Sequence, residues 1–164
     1  MPPTESNPRN SEGDFVQLKD GRLFFIYTHF TGGSGDASSA YLAGRFSADD
    51  GRTWDATDTL MFENDGQENI MSVSLLRLAD GRIAVFYARK NSLQDCRPIV
   101  RFSSDEAVTW SEPQLVVPDE QLGYYVLNND RVIQLRSGRL VVPLALHHTP
   151  EMQQSDWTGR VLCY

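Results

Sequence analysis

The stretch Ser47-Ala48-Asp49-Asp50-Gly51-Arg52-Thr53-Trp54 has the pattern Ser-x-Asp-x-Gly-x-Thr-Trp, and it decides the fold because it occurs twice. The second copy is Ser103-Ser104-Asp105-Glu106-Ala107-Val108-Thr109-Trp110, with Ala107 in the place of the glycine. An aspartate accepts hydrogen bonds from backbone N–H groups of its own turn, and a tryptophan buries a large ring. Each copy is therefore predicted to be a tight turn attached to a sheet, and the chain contains an internal repeat.

The second copy is expected to be the less regular of the two turns. A residue with a Cβ atom adopts a left-handed backbone only at a steric cost, whereas glycine adopts it freely. Ala107 therefore predicts either a different turn geometry at this place or a strained one.

Short apolar segments flank these turns in the same order in each repeat. They are joined in pairs by the turns 19–21, 79–81 and 136–138, each of which ends in a glycine. Apolar segments separated by such turns predict β-hairpins, and the three glycines recur at intervals of roughly 57 to 60 residues. One repeat unit therefore contains four strands, and no stretch of the sequence has a convincing helical pattern.

A four-stranded antiparallel unit that repeats in this way is typical of a β-propeller blade. We predict an all-β chain that forms one partial β-propeller domain, with blade 1 at about 12–63, blade 2 at about 69–118 and an incomplete blade 3 at about 125–164. A tandem β-sandwich is the structural alternative. Closed propellers have about four to eight blades, so we expect open blade edges through which copies of the chain could self-associate.

Composition restricts the class of protein and its partners. With 164 residues, 40% of them hydrophobic, the chain can bury a core, and its net charge of −7 disfavours nucleic acid or an anionic membrane as the partner. The sequence has no apolar run long enough for a membrane span and no secretory signal, which leaves localisation open. Cys96 and Cys163 lack metal-type spacing and are expected to be unpaired thiols. No cofactor is expected, and no metal, because the adjacent His147 and His148 would face opposite sides of a strand.

The repeated turn resembles the Asp-box, also called the BNR repeat, and the whole chain resembles the first two and a half blades of a sialidase-like six-bladed propeller. The segment Gln134-Leu135-Arg136-Ser137-Gly138-Arg139-Leu140-Val141-Val142-Pro143 is similar to the third-blade segment of these enzymes. Arg45-Phe46-Ser47 is similar to the approach to their first box. The Asp-box marks a fold, since it occurs in sialidases, other glycosidases, sorting receptors and non-catalytic propellers, so function depends on other residues.

The direction of the strands predicts which residues share a site. If the glycine hairpins and the tryptophan turns lie at one end of every blade, the starts of the first strands and the loops between second and third strands lie at the other end. Asn, Asp, Glu and His suit sugar hydroxyls and Arg suits a carboxylate, although any wet loop has a similar composition. The predicted substrate-binding residues at this end are Arg9, Glu12, Asn69, Lys90, Asp95, Arg97, Asn129, Asp130, Arg131 and His147.

The resemblance to sialidases implies roles for two residues. Arg9 lies where these enzymes place the first arginine of a carboxylate-binding triad, although Asn10-Ser11 follows it instead of Ile-Pro. Asp36 is the only acidic residue in the first-blade loop that carries their general acid, and it is the predicted catalytic residue. From the residues alone, Arg9 could equally be a solvated side chain and Asp36 a turn former after glycines.

The function that these features predict is sialidase-like glycoside hydrolysis on a terminal, acidic sugar, by a whole enzyme or a fragment of one. In the family the attacking tyrosine, its glutamate and the other two arginines come from later blades, so the isolated chain is expected to be inactive. The segments 90–92 and 128–131 match no sialidase motif, which favours a sugar other than sialic acid. The alternatives are a non-catalytic propeller that binds carbohydrate or protein, and a truncated chain that self-associates.

Overall fold

The computed structural model describes residues 2–153 and 158–164, and this part of the chain contains strands and turns but no helix. Blade 1 is a four-stranded antiparallel sheet in chain order. Its strands are β1 (Arg9–Gln17), β2 (Leu23–Phe30), β3 (Ala40–Ser47) and β4 (Thr59–Phe62).

Blade 2 repeats this arrangement. Its strands are β5 (Asn69–Arg77), β6 (Ile83–Ser92), β7 (Asp95–Ser103) and β8 (Gln114–Leu115), again antiparallel in chain order. All residues from 83 to 88 of β6 are buried. Successive side chains of a strand point to opposite faces, and both faces of this strand are covered, one by blade 1 and the other by blade 3.

Blade 3 consists of shorter strands. They are β9 (Tyr124–Val126), β10 (Ile133–Gln134), β11 (Leu140–Val141), β12 (Pro143–His148) and β13 (Arg160–Cys163). Pro143 has no N–H to donate to a sheet, and β11 ends just before it. One parallel pairing, Cys96 with Tyr124, joins blade 3 to blade 2.

Two apolar cores lie between the blades. The first includes Phe24, Ile26 and Leu42 of blade 1 together with Val85 and Tyr87 of blade 2. The second includes Phe86 and Val100 of blade 2 together with Leu127, Val142 and Leu144 of blade 3. Blades packed face to face without closing into a ring form an incomplete β-propeller, which confirms the predicted fold class.

Turn 1 (residues 47–54) and turn 2 (residues 103–110) share one hydrogen-bond pattern. Ser47 Oγ accepts a bond from Gly51 N at 2.9 Å and Asp49 Oδ1 accepts one from Thr53 N at 2.8 Å. The equivalent bonds in turn 2 both measure 2.9 Å. The expectation that turn 2 is less regular was wrong, because the side chains that close the turn are the same in both copies.

Ala107 adopts the backbone conformation that glycine has in turn 1. Its φ is 68°, against 79° for Gly51, so the predicted strain is present although the turn geometry is unchanged. The alanine methyl group is buried in the first core. Burial of that methyl group offsets part of the cost of the left-handed backbone.

Candidate functional site

A cavity of about 210 Å³ opens at the end of the blades opposite to turns 1 and 2, which we call the mouth end. All three blades contribute to its wall. Residues that line it include Arg9 and Glu12 of β1, Asp36 of the loop 31–39, Ser72 of β5, Tyr124 of β9, and Asn128. Three of the predicted site residues, Arg9, Glu12 and Asp36, are thus brought together at one cavity.

Arg9 and Asp36 form an ion pair in the wall of this cavity. Arg9 Nη1 lies 2.5 Å from Asp36 Oδ1 and also donates to the Ser34 carbonyl oxygen at 3.1 Å. The guanidinium carbon lies 4.6 Å from the centre of the Phe30 ring. The arginine side chain is 27% exposed and the aspartate side chain 71%, so the structure holds the arginine in place and leaves the carboxylate open to solvent.

Two buried side chains hold the backbone that carries Asp36. Asn69 is fully buried, and its Nδ2 donates to the carbonyl oxygens of Asp36 and Ser38 at 2.8 and 2.9 Å. Lys90 is 3% exposed, and its Nζ donates to the same Asp36 carbonyl at 3.2 Å. Asn69 and Lys90 were predicted to bind substrate, but they lie beneath the loop and neither lines the cavity. Strand direction placed them at the correct end of the blades without giving their depth.

The charge of Lys90 is balanced inside the protein. Its Nζ lies 3.3 Å from Glu68 Oε2 and 5.5 Å from the centre of the Tyr124 ring. Burial by itself would lower the pKa of Lys90, but the neighbouring Tyr124 and Glu68 outweigh burial and raise that pKa above its usual value. The ammonium group therefore stays charged and keeps its bond to the loop at neutral pH.

Among the residues that the structure describes, the cysteine and tyrosine side chains of the cavity wall have raised pKa values. Burial raises the pKa of the Cys96 thiol to about 12, so this side chain is a neutral thiol. Burial likewise raises the pKa of Tyr124. Both shifts run opposite to the lowered pKa of an activated nucleophile. The ring of Tyr124 offers an aromatic wall on which a sugar ring can stack.

Other predicted residues lie outside the wall of the cavity. Arg97 pairs with Asp95 at 2.8 Å and with Asp119 at 2.9 Å, which makes a separate ion-pair cluster on β7. The remaining ones are Asn129, Asp130 and Arg131, which follow β9, and His147 of β12. None of these four residues lines the cavity, and the Arg131 backbone N–H donates to Ser74 Oγ at 3.0 Å.

Sequence reasoning did not assign Ser72, Cys96 and Tyr124 to the site. Ser72 lies in an irregular part of the pairing between β5 and β6 and has a positive φ of 62°. A bulge of this kind cannot be read from an alternating pattern, and strained backbone is frequent at functional sites. Tyr124 could have been assigned to the site from the sequence, because aromatic rings close to polar loops are common in sugar-binding sites.

The described residues give no sign of a metal centre or a membrane-spanning helix. Residues 2–153 and 158–164 contain no group of three or more His, Cys, Asp or Glu side chains that could hold a metal ion. No helix in this part of the chain is long and apolar enough to cross a membrane. Cys96 is a buried and Cys163 an exposed free cysteine.

Known proteins with this fold include sialidases. A protein of unknown function from Dyadobacter fermentans DSM 18053 has a TM-score of 0.79 and 15% identity over 98% of this chain and 52% of its own. Trypanosoma rangeli sialidase in complex with the inhibitor DANA has a TM-score of 0.64 and 18% identity over 94% of this chain and 28% of its own. The intramolecular trans-sialidase from Ruminococcus gnavus in complex with oseltamivir carboxylate has a TM-score of 0.66 and 14% identity over 93% of this chain and 60% of its own.

These structures agree in fold at low sequence identity, and the chain spans about half the length of the Dyadobacter protein. No curated protein matches the chain in sequence. The family model of the BNR repeat-like domain matches residues 45–161, which include both tryptophan turns and strands β9 to β12 of blade 3. The chain therefore belongs to the BNR repeat-like domain family.

Proposed function

We propose that the protein is a sialidase-like glycoside hydrolase that acts on a terminal acidic sugar, and that this chain supplies its carboxylate-binding arginine and its general acid. The observation that supports this proposal is the meeting of Arg9 and Asp36 at 2.5 Å in the wall of the mouth-end cavity. One is the side chain that binds a carboxylate with two parallel hydrogen bonds. The other is a solvent-open carboxylate that can exchange protons with water once it is released from the arginine.

Substrate binding separates this ion pair. A sugar carboxylate has the same geometry as the Asp36 carboxylate and competes with it for the Arg9 guanidinium. Phe30 supports the guanidinium from one face, so the arginine stays in place while Asp36 turns away. The exchange couples recognition of the acidic sugar to release of the catalytic side chain.

Asp36 then acts as the general acid. After it has left Arg9, the Asp36 carboxylate takes up a proton from the solvent to which it is 71% exposed. That proton passes to the glycosidic oxygen as the bond from that oxygen to the sugar breaks, and positive charge develops on the sugar ring. Asn69 and Lys90 hold the main chain of the aspartate from below, which limits its movement to side-chain rotation. We assign the nucleophile to no described residue of the cavity wall, since the resemblance to sialidases places it in a later blade.

The test is hydrolysis of fluorogenic sialosides and other acidic glycosides by the protein and by Asp36→Asn. We expect the rate to fall about 10²- to 10⁴-fold for a poor alcohol leaving group, and far less for an activated phenol, which needs little protonation. Asp80→Asn, in the hairpin turn at the opposite end of blade 2, is the matched control. Equal loss for both leaving groups would exclude Asp36 as the general acid.

A non-catalytic carbohydrate-binding propeller is the second candidate. It is favoured by the lack of an activated nucleophile among the described residues of the cavity wall. This candidate predicts that acidic glycans bind without turnover and that Arg9→Lys weakens binding because one of two parallel bonds is lost. Asp36→Ala should not weaken binding, because the aspartate competes with the glycan for Arg9. A glycan array with the three proteins separates the two functions.

A further inference from the structure

Lys90 is a buried lysine at a place where blade 1 has an apolar residue. The cross-strand pairs give the alignment, since Arg9 pairs with Phe30 in blade 1 and Asn69 pairs with Lys90 in blade 2. Phe30 is fully buried and Lys90 is 3% exposed. The blade architecture therefore accepts an apolar side chain at this place and does not itself require an ammonium group.

The lysine is the unfavourable choice for the stability of the fold. Burial of a phenyl ring is favourable, whereas an ammonium group loses its hydration when it is buried. The Glu68 carboxylate, whose Oε2 lies 3.3 Å from Lys90 Nζ, offsets part of that loss. A well-packed apolar residue is nevertheless often as stabilising as such an ion pair, or more so. Stability alone thus gives no reason for a lysine here.

The contacts of Lys90 lead to cavity walls that two other blades supply. Its Nζ donates to the carbonyl oxygen of Asp36 in blade 1 at 3.2 Å, and it lies 5.5 Å from the centre of the Tyr124 ring in blade 3. A cation at this distance from a ring face is attracted to it. Asp36 and Tyr124 both line the mouth-end cavity. A lysine of the middle blade therefore joins the two outer blades at the cavity.

The loop 31–39 depends on blade 2 for the position of Asp36. The Asp36 carbonyl oxygen accepts one bond from Asn69 Nδ2 and one from Lys90 Nζ. A charged donor makes a stronger hydrogen bond than a neutral one. Loss of the ammonium group should therefore loosen the loop even while Asn69 keeps its bonds.

We propose that Lys90 is a positioning residue, which fixes the gap between the Asp36 wall and the Tyr124 wall and keeps the cavity ready for a ligand. A site that is ordered in advance loses less conformational freedom when it binds. Lys90 acts through these two residues, because it lies beneath the loop and does not line the cavity. The inference rests on the proposed function for the role of Asp36, but the order of the loop can be measured without any substrate.

The first test compares the wild type with Lys90→Met/Glu68→Gln. Methionine fills the space of the lysine chain, and glutamine removes the carboxylate charge that would otherwise lose its partner. We expect an unchanged or higher melting temperature, because a buried charge is replaced by an apolar group. Amide hydrogen exchange in the loop 31–39 should become about tenfold faster or more, as the loss of a hydrogen bond from a charged donor predicts. The reporter is Ser38 N–H, which donates to the Gly35 carbonyl at 2.9 Å.

Arg97→Met is the matched control for this measurement. Arg97 is another ion-paired cation of blade 2, with a side chain 11% exposed, and it bonds to Asp95 and Asp119. Its loss should leave exchange in the loop 31–39 unchanged. A double variant that melts earlier while the loop exchanges as in the wild type would show that Lys90 only stabilises the fold, and it would overturn the proposal. Equal acceleration in the control would also overturn it.

The second test is hydrolysis of a fluorogenic sialoside by Lys90→Met/Glu68→Gln and by the same double variant combined with Asp36→Asn. If Lys90 acts through Asp36, the double variant should lower kcat about 10- to 100-fold in the wild type, with little further loss in the Asp36→Asn background. Equal losses in both backgrounds would refute the positioning role. A wild type that hydrolyses no acidic glycoside would overturn the proposed function instead, and the exchange measurement would still decide the inference on Lys90.

Discussion

Trp54 and Trp110 occupy the same place in successive blades but have different surroundings. Trp110 packs edge-on against Phe62 of the preceding blade and adjoins the first core. Trp54 packs against Phe25 of its own blade, at 5.8 Å between ring centres, and remains 37% exposed. The comparison teaches that the motif builds the turn by itself, whereas the energetic value of its tryptophan comes from the neighbouring blade.

The glycine of turn 1 and the alanine at the equivalent place in turn 2 also have different surroundings. A Cβ at Gly51 would contact Leu23 Cδ1 at 3.4 Å and Trp54 Cζ2 at 3.7 Å, on the side of blade 1 that faces away from blade 2. The Cβ of Ala107 is buried between blades. Gly51 therefore adopts the left-handed backbone without strain. Ala107 is strained in the same backbone, but it buries its methyl group.

The largest expected difference between the two turns is in the tryptophans. Trp110→Ala should lower the free energy of unfolding by about 3–5 kcal/mol, because it opens a cavity between two blades. Trp54→Ala should cost about 1–2 kcal/mol, because much of its ring is already exposed. Urea denaturation measures both losses. Equal losses would show that the contact within a blade holds the tryptophan.

The serine hydroxyls should behave alike in the two turns. Ser47 and Ser103 are 2% and 1% exposed, and each accepts a backbone N–H bond at 2.9 Å. Replacing either by alanine leaves that N–H without its acceptor, which should cost about 1–3 kcal/mol in both cases. The readout is again the urea midpoint. A cost confined to one turn would mean that the hydrogen-bond patterns differ in solution.

Gly51→Ala in turn 1 should destabilise the protein more than Ala107→Gly in turn 2. Gly51→Ala forces a Cβ into a left-handed backbone without burying it and should cost about 1–2 kcal/mol. Ala107→Gly relieves the same strain but loses a buried methyl group, worth about 0.8 kcal/mol, so its net effect should be the smaller one. The melting temperatures of the two variants, each compared with that of the wild type, measure the two effects. An Ala107→Gly effect larger than that of Gly51→Ala would contradict it.

The smallest expected effect is the acid dependence of turn 2. Glu106 pairs with Arg77 at 2.6 Å, which holds the pKa of its carboxyl at about 2, well below the usual value of 4.5. A lowered folded-state pKa stabilises the protein above the unfolded-state value, and this stabilisation is lost as pH falls from about 4.5 towards 2. Glu106→Gln should cost less than about 1 kcal/mol near neutral pH.

The measurement for Glu106 is the urea midpoint of wild type and variant at several pH values. The difference between them should shrink below pH 4.5. Asp50→Asn is the control, because Asp50 occupies the same place in turn 1 and contacts only Arg52, at 3.6 Å and in solvent. A pH-independent difference for Glu106→Gln would exclude the ion pair as its cause.

The candidate site was predictable in part. Arg9 and Asp36 follow from the position of a strand start and of a loop in the repeat, and both line the cavity. Asn69 and Lys90 share that end of the blades, yet they are buried and bind main-chain carbonyls. Strand direction tells which end of a blade a residue occupies, but its depth depends on how neighbouring blades pack, and that information is not local.

The sequence by itself determined the repeat, the hairpins, the two tryptophan turns and the incomplete propeller, because turn chemistry and strand alternation act over a few residues. Only the tertiary structure decided that turn 2 copies turn 1, that Arg9 contacts Asp36, and that one tryptophan is covered while the other is open. Those properties arise where residues far apart in sequence meet across blades. Their energies depend on the side chains that burial brings together, which no short pattern records.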